Sequence, residues 1–272
     1  MRILMCTDGS KQAEDAIRFG NILVKNLECT ITVLGVVEHS YDQARVEASM
    51  ANAKEILKDV DIETKTRVGY ADEEIVKESE EGYDLIILGS VGRRGIARFL
   101  IGPTAAKVVK YARTSVLVVK GARDKVSKVL ICTGGGERGI EDVKYGGKIA
   151  KATGAEVNVL HCMSQIPMLD IEEKERRVLS EFLGEKTREA EHLKKGCQIL
   201  GDLGIKCDAK LRYGLVENEI FDEVREGNYD LLVIGAHATV GLSRYLLGDI
   251  AGWIVDHAGI PVLVVKTPKH IM

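Results

Sequence analysis

The chain has 272 residues, of which 45% are hydrophobic, 29% charged and 5% aromatic, with a formal net charge of -3. That length suits two domains of ordinary size, each able to bury a core without disulfides or metals. The small net charge argues against nucleic acid or an anionic membrane as the main partner, and no apolar run approaches a membrane span.

Taken in chain order, residues 2–7 are apolar and strand-like, and reach Asp8 too soon for a signal peptide. A helical periodicity comes next over 11–26, then the strand ITVLGVV at 31–37, a helical segment near 41–58 and the weaker strand DIETKTRV at 61–68. A short helix from Asp72, the strand DLIILG, a helix over 103–112 and the strand SVLVVK complete this first set. The polar, basic stretch KGARDKVSK then reads as a linker.

Beyond it the pattern repeats. ILMCTDGS at 3–10 pairs with VLICTGGG at 129–136, and residues 83–120 align without gaps to 229–266 with 16 of 38 positions identical. Self-similarity of this length is duplication. The offset grows from 126 at the start of the copies to 146 at the end, so the second copy carries about twenty extra residues, by subtraction. They fall in the charged stretch around 167–195, where Val178, Leu179, Phe182 and Leu183 stand among charges as in an amphipathic helix.

Strands built from continuous β-branched and leucine residues are buried on both faces, as in a parallel sheet under helices. The expected class is therefore α/β: two tandem doubly wound sheets of five parallel strands, order 3-2-1-4-5, with domains at 1–121 and 127–268. The six cysteines form no C-x-x-C pair and no zinc-like spacing, so they are expected to be reduced thiols of a cytoplasmic protein, with no redox or metal role.

Ligands of such sheets sit beyond the carboxyl ends of the strands where the strand order reverses. Those ends carry Thr7, Asp8 and Gly9 on the first strand, Val36, Val37 and Glu38 on the second, and the loop after Leu88 on the fourth. This loop spaces Gly89, Gly92 and Gly102 as G-x2-G-x9-G, then places Pro103 and Thr104 at a helix start. Glycines let backbone N–H groups approach a phosphate, and a helix N-terminus aims its positive end there. Arg93, Arg94 and Arg98 add positive charge. Asp8 has two readings, orienting a ribose or capping the helix that begins near Ser10.

The glycine spacing after a buried strand, the aspartate ending the first strand and the closing VLVVK-type strands together resemble the universal stress protein family, over essentially the whole chain, twice. The resemblance implies an adenine nucleotide (AMP, ADP or ATP) with Thr7 and Asp8 near the ribose, Val36 at the base, and Gly89, Gly92 and Gly102 at phosphate. Leu88, Arg93, Pro103 and Thr104 complete the implied site. The resemblance also implies a regulatory role in stress without distinctive catalysis, pairing of the two last strands within one chain, possible homodimers and an unidentified protein partner. Magnesium is implied only with ATP.

Pro103 stands where nucleotide-binding members carry a hydroxyl residue and offers neither O–H nor N–H, which favours a shorter nucleotide over a clamped triphosphate. The second copy departs further: Gly134 replaces Asp8, Ala238 the second glycine, and Asp249 the hydroxyl position. The first half is therefore expected to hold the site. His237 lacks a nucleophile to work with, His39, His161 and Glu38 read as rim residues, and Trp253 reads as core or interdomain packing. No catalytic triad, P-loop lysine or metal cluster is legible. The competing functions are a pure interaction module and a weak nucleotide hydrolase.

Overall fold

In a computed structural model, residues 1–91, 101–163, 187–236 and 248–266 are described. They divide into two compact units, Met1–Lys125 with Ala236–Met272, and Val126–Gly235. The last helix and strand of the second copy thus group with the first unit.

The first unit runs β1 (Arg2–Thr7), α1 (Lys11–Val24), β2 (Thr30–Val37), a 3-10 turn at Ser40–Asp42, α2 (Gln43–Ile56), β3 (Ile62–Val68), α3 (Ala71–Ser79), β4 (Leu85–Gly89), α4 (Pro103–Tyr111) and β5 (Ser115–Val119). Its strand order is β3-β2-β1-β4-β5, the doubly wound order expected, with every one of these neighbours parallel. Continuous apolar strands explain why. Ile3, Leu4, Met5, Leu85, Ile86 and Ile87 are wholly buried, so both sheet faces are covered and crossover helices must supply the cover. α1 starts on Ser10, whose hydroxyl accepts the Ala13 N–H at 3.1 Å, and buries Ala13, Ala16, Ile17, Gly20, Leu23 and Val24 on one stripe.

The second unit holds β6 (Lys128–Cys132), α5 (Gly136–Thr153), β7 (Glu156–Met163), α6 (Arg188–Asp202), β8 (Cys207–Tyr213), α7 (Val216–Gly227) and β9 (Leu231–Gly235). Its parallel order β8-β7-β6-β9 repeats the first. The chain then forms α8 (Asp249–His257) and β10 (Val262–Val265), and β10 pairs antiparallel with β5, Leu263 opposite Leu117. The last strands of the two copies therefore pair, as the resemblance implied. Much of the charged insertion, residues 164–186, lies outside the described residues. Its far end enters α6, which Thr187 caps by accepting the Ala190 N–H.

One expectation fails here and another narrows. Cys197 on α6 and Cys207 on β8 are joined by a disulfide, whereas Cys6, Cys29, Cys132 and Cys162 are free. A ten-residue separation looks like nothing in sequence; the turn between helix and strand brings the two together. Of the two places expected for Trp253, the core is excluded: it is 41% exposed, and its ring stacks on His257 at 4.4 Å.

Candidate functional site

The carboxyl ends of β1, β2 and β4 meet on one edge of the first unit, because β1 pairs with both of the others. Thr7 is buried there, and its hydroxyl hydrogen-bonds the Ser49 hydroxyl on α2 while accepting the Gly9 N–H at 3.3 Å. The Asp8 carboxylate accepts the Ser10 N–H at 2.9 Å, so it braces the turn into α1, while the cap of that helix is Ser10. Gly9 turns with φ +77°, a conformation L side chains rarely adopt, and an added Cβ would lie 2.8 Å from the Arg45 Cγ.

Arg45 was not legible as a site residue. Its Nε donates to the Asp8 carbonyl at 2.9 Å, and its other end pairs with Asp42 at 2.8 Å, so α2 sets a guanidinium beside the strand-one aspartate. The one available signal was its i,i+3 spacing from Asp42 at the start of the helix after β2.

The fourth strand ends at Gly89, where the chain crosses the first turn of α1. A Cβ at this position would lie 2.7 Å from the Gln12 carbonyl oxygen and 3.0 Å from the Ala13 nitrogen, both backbone atoms of a helix. Gly89→Ala is expected to cost about 1–3 kcal/mol in urea unfolding, since helix or strand must shift to admit the methyl group. An unchanged midpoint would show that α1 yields freely.

The loop then returns on itself. The Ser90 N–H donates to Val119 at 2.9 Å, and the Gly102 N–H donates to the Ser90 carbonyl at 2.6 Å. Gly89 and Gly102 are thereby held close together at the start of α4. Gly102 is the N-cap of α4 and offers no side chain; Pro103 occupies N1, where a missing N–H is no loss. The next N–H groups, of Thr104 and Ala105, belong to the first turn and have no partner within the helix. Val36 and Leu88 are buried at their strand ends. Gly92 and Arg93, with Arg94 and Arg98, lie outside the described residues.

The rim keeps its expected place. Glu38 is exposed, and it accepts the Ala71 N–H at 3.1 Å and so ties the end of β2 to α3. His39 stacks on Tyr41 with ring centroids 5.1 Å apart.

The second unit keeps this plan with other side chains. Thr133 takes the place of Thr7, and His192 on α6 takes that of Ser49, with its Nε2 2.7 Å from the Thr133 hydroxyl. His161 Nδ1 donates to the Thr133 carbonyl at 2.8 Å, so it is an anchored residue. Burial first, then His161 and Lys195, hold the His192 imidazole below its ordinary range. No atom lies within 4 Å of a Cβ added at Gly134, where Asp8 has its counterpart. His237 and Ala238 lie outside the described residues. Among the described residues, no group of three or more His, Cys, Asp or Glu side chains is arranged to hold a metal ion, and no helix is long and apolar enough to cross a membrane.

Comparison with known proteins finds one family in both halves. The model of the universal stress protein family matches residues 1–120 and again 125–266. A universal stress protein of Methanocaldococcus jannaschii is 32% identical over 153 residues, which span 56% of this chain and 89% of that protein. A putative universal stress protein of Staphylococcus haemolyticus is 28% identical over 137 residues, 43% of this chain and 83% of its own. Among solved structures, a universal stress protein from Archaeoglobus fulgidus superposes with a TM-score of 0.71 at 19% identity, covering 98% of this chain and 97% of its own. A putative universal stress protein from Pseudomonas aeruginosa gives 0.70 at 20% identity, over 97% and 92%. The two structures speak for the fold.

Proposed function

We propose, for a chain that belongs to the universal stress protein family through both of its halves, that it binds an adenine nucleotide at the carboxyl edge of its first unit and acts by binding, without chemistry of its own. The observation that carries this reading is the Gly102-to-Ser90 hydrogen bond, which sets Gly89 beside the uncapped start of α4 on the strand next to Asp8. Unsatisfied N–H groups at a helix start suit a phosphate, and Asp8 with Thr7 suits the hydroxyls of a ribose. Val36 and Leu88 supply apolar surface toward the base. Pro103 presents no donor, so AMP or ADP fits better than ATP, with magnesium required only for the triphosphate. In the second copy the aspartate is missing, and Asp249 in place of the hydroxyl residue would repel phosphate, so the first unit is the site.

Titration calorimetry and thermal shift with ATP, ADP and AMP, against inorganic phosphate as control, test the proposal. Saturable binding of an adenine nucleotide with a raised melting temperature is the expected result, because a ligand of the folded state must stabilise it. No shift with any of them would leave the interaction module standing. Gly92→Asp is expected to weaken binding at least tenfold, about 1.4 kcal/mol, by setting a carboxylate against phosphate. Ala238→Asp, its counterpart in the second copy, is expected to change affinity less than twofold; equal losses would refute the asymmetry.

A further inference from the structure

We propose that Cys197 and Cys207 form a reversible thiol–disulfide site that exchanges with low-molecular-weight disulfides of the glutathione class and, when oxidised, clamps α6 onto the edge strand β8. The two α-carbons stand 5.4 Å apart, and both residues are half-buried, so solvent reaches the pair. The remaining cysteines are free, with Cys6 and Cys132 buried and Cys29 and Cys162 half-buried. Burial pushes the Cys6 and Cys132 thiols far up and the Cys162 thiol up to about 12, which keeps them from acting as thiolate nucleophiles.

The duplication separates a switch from a structural staple. Ile31 of β2 faces Ile62 of β3, and its counterpart Val157 of β7 faces Cys207 of β8. On the helix, Ser49 and His192 both bond the buried threonine at the carboxyl edge of the first strand of their copy, Thr7 closing β1 and Thr133 following β6. Five residues beyond them come Lys54 and Cys197 respectively. The first copy therefore builds the same helix–strand pair with lysine and isoleucine in these two places. Nor does α6 depend on the bond for its seat, because Ala190, Leu193 and Leu200 are wholly buried beneath it. The disulfide is an addition to a pair that already packs. Its oxidation restrains the helix that carries His192 over Thr133.

The chemistry balances with one oxidant. A thiolate of the pair attacks glutathione disulfide, an S–S bond breaks, and one glutathione thiolate leaves with a mixed disulfide formed on the protein. The second cysteine, as thiolate, attacks the protein sulfur and expels the second glutathione. Two protein thiols are oxidised, one glutathione disulfide is reduced to two glutathione thiols, and the cysteine protons pass to solvent or to the departing thiolates.

The full chain, equilibrated in glutathione buffers of rising oxidised fraction, then acid-quenched, alkylated and peptide-mapped by mass spectrometry, tests this. The expected result is one reversible transition in which Cys197 and Cys207 pass from doubly alkylated to linked while Cys6 and Cys132 stay thiols. A pair still linked after dithiothreitol under native conditions would overturn the proposal, as would a pair never linked in fully oxidised buffer, or linkage to Cys29 or Cys162. Cys197→Ser is expected to lose the transition and to melt within about 2 °C of the reduced wild type. A reduced wild type that fails to fold would make the bond structural and the proposal wrong.

Discussion

Replacing Glu223 by alanine is expected to cost about 2–4 kcal/mol of stability, and replacing Glu78 about as much. Each carboxylate is almost wholly buried, at 1% and 0% exposure, and accepts hydrogen bonds from three side chains. Glu223 accepts from Lys210, from Arg212 at 2.7 and 2.9 Å and from the Tyr229 hydroxyl. Glu78 accepts from Lys65 at 2.9 Å, Arg67 and the Tyr83 hydroxyl at 3.0 Å. Truncation would take this acceptor from a buried phenol and from two cations. The cations are partly exposed and can turn to water, so the loss falls short of that for a stranded buried charge. Burial pushes both carboxyls up, but the hydrogen bonds from lysine, arginine and tyrosine outweigh it and hold both below the usual range. With the folded value depressed, this stability is full above the unfolded pKa of 4.5 and is lost as pH falls through the folded one. Urea midpoints for Glu78→Ala and Glu223→Ala at pH 7, repeated toward pH 3.5, check both points. A loss below about 0.5 kcal/mol would show that the ion pairs merely offset their own desolvation.

That network shows where the sequence can be read and where it cannot. Parallel strands and helix placement follow from hydrophobic pattern, because continuous apolar runs require cover on both sheet faces. The buried acids follow from no local pattern. DIETKTRV reads as a weak strand because its lysine and arginine point at a glutamate one helix away, and only the fold brings them together. The duplication carried the clue all the same: Lys65, Arg67, Glu78 and Tyr83 recur as Lys210, Arg212, Glu223 and Tyr229. Recurrence of these charges in both copies, where Asp8 and Gly92 do not recur, marks a scaffold role. Gly89, Gly102 and Asp8 could be placed at the strand and helix ends because backbone approach and strand ends leave fixed signatures. Arg45 could not, since nothing local says that a helix after β2 will reach back over Gly9.

The pairing of the two last strands is expected to give the protein a stability maximum near pH 9. Each of those strands leads into a lysine that caps the other copy's last helix. Lys120 Nζ donates to the Asp256 carbonyl at 2.9 Å, and Lys266 Nζ donates to the carbonyls of Val109 and Ala112. The carbonyls at a helix C-terminus welcome a cation, yet burial dominates and pulls both ammonium groups down to about 8. Folding thus favours release of these protons, so below pH 8 both lysines carry a fixed penalty. Between pH 8 and the ordinary 10.5 the unfolded chain binds more protons than the folded one, and stability rises with pH. The rise is at most about 1.4 kcal/mol per pH unit for each lysine. Above pH 9 the thiols reverse it. Burial raises Cys6, Cys29, Cys132 and Cys162 above their ordinary 9.0, so the unfolded chain ionises first and gains. Urea midpoints at half-unit steps from pH 7 to 10.5 should climb until about pH 9 and then fall. Changing both lysines to methionine keeps the apolar stem and removes the charge, so the climb should vanish while the fall remains. A variant that still climbs would mean that the lysines reach water, and that the strand pair is looser than its buried caps imply.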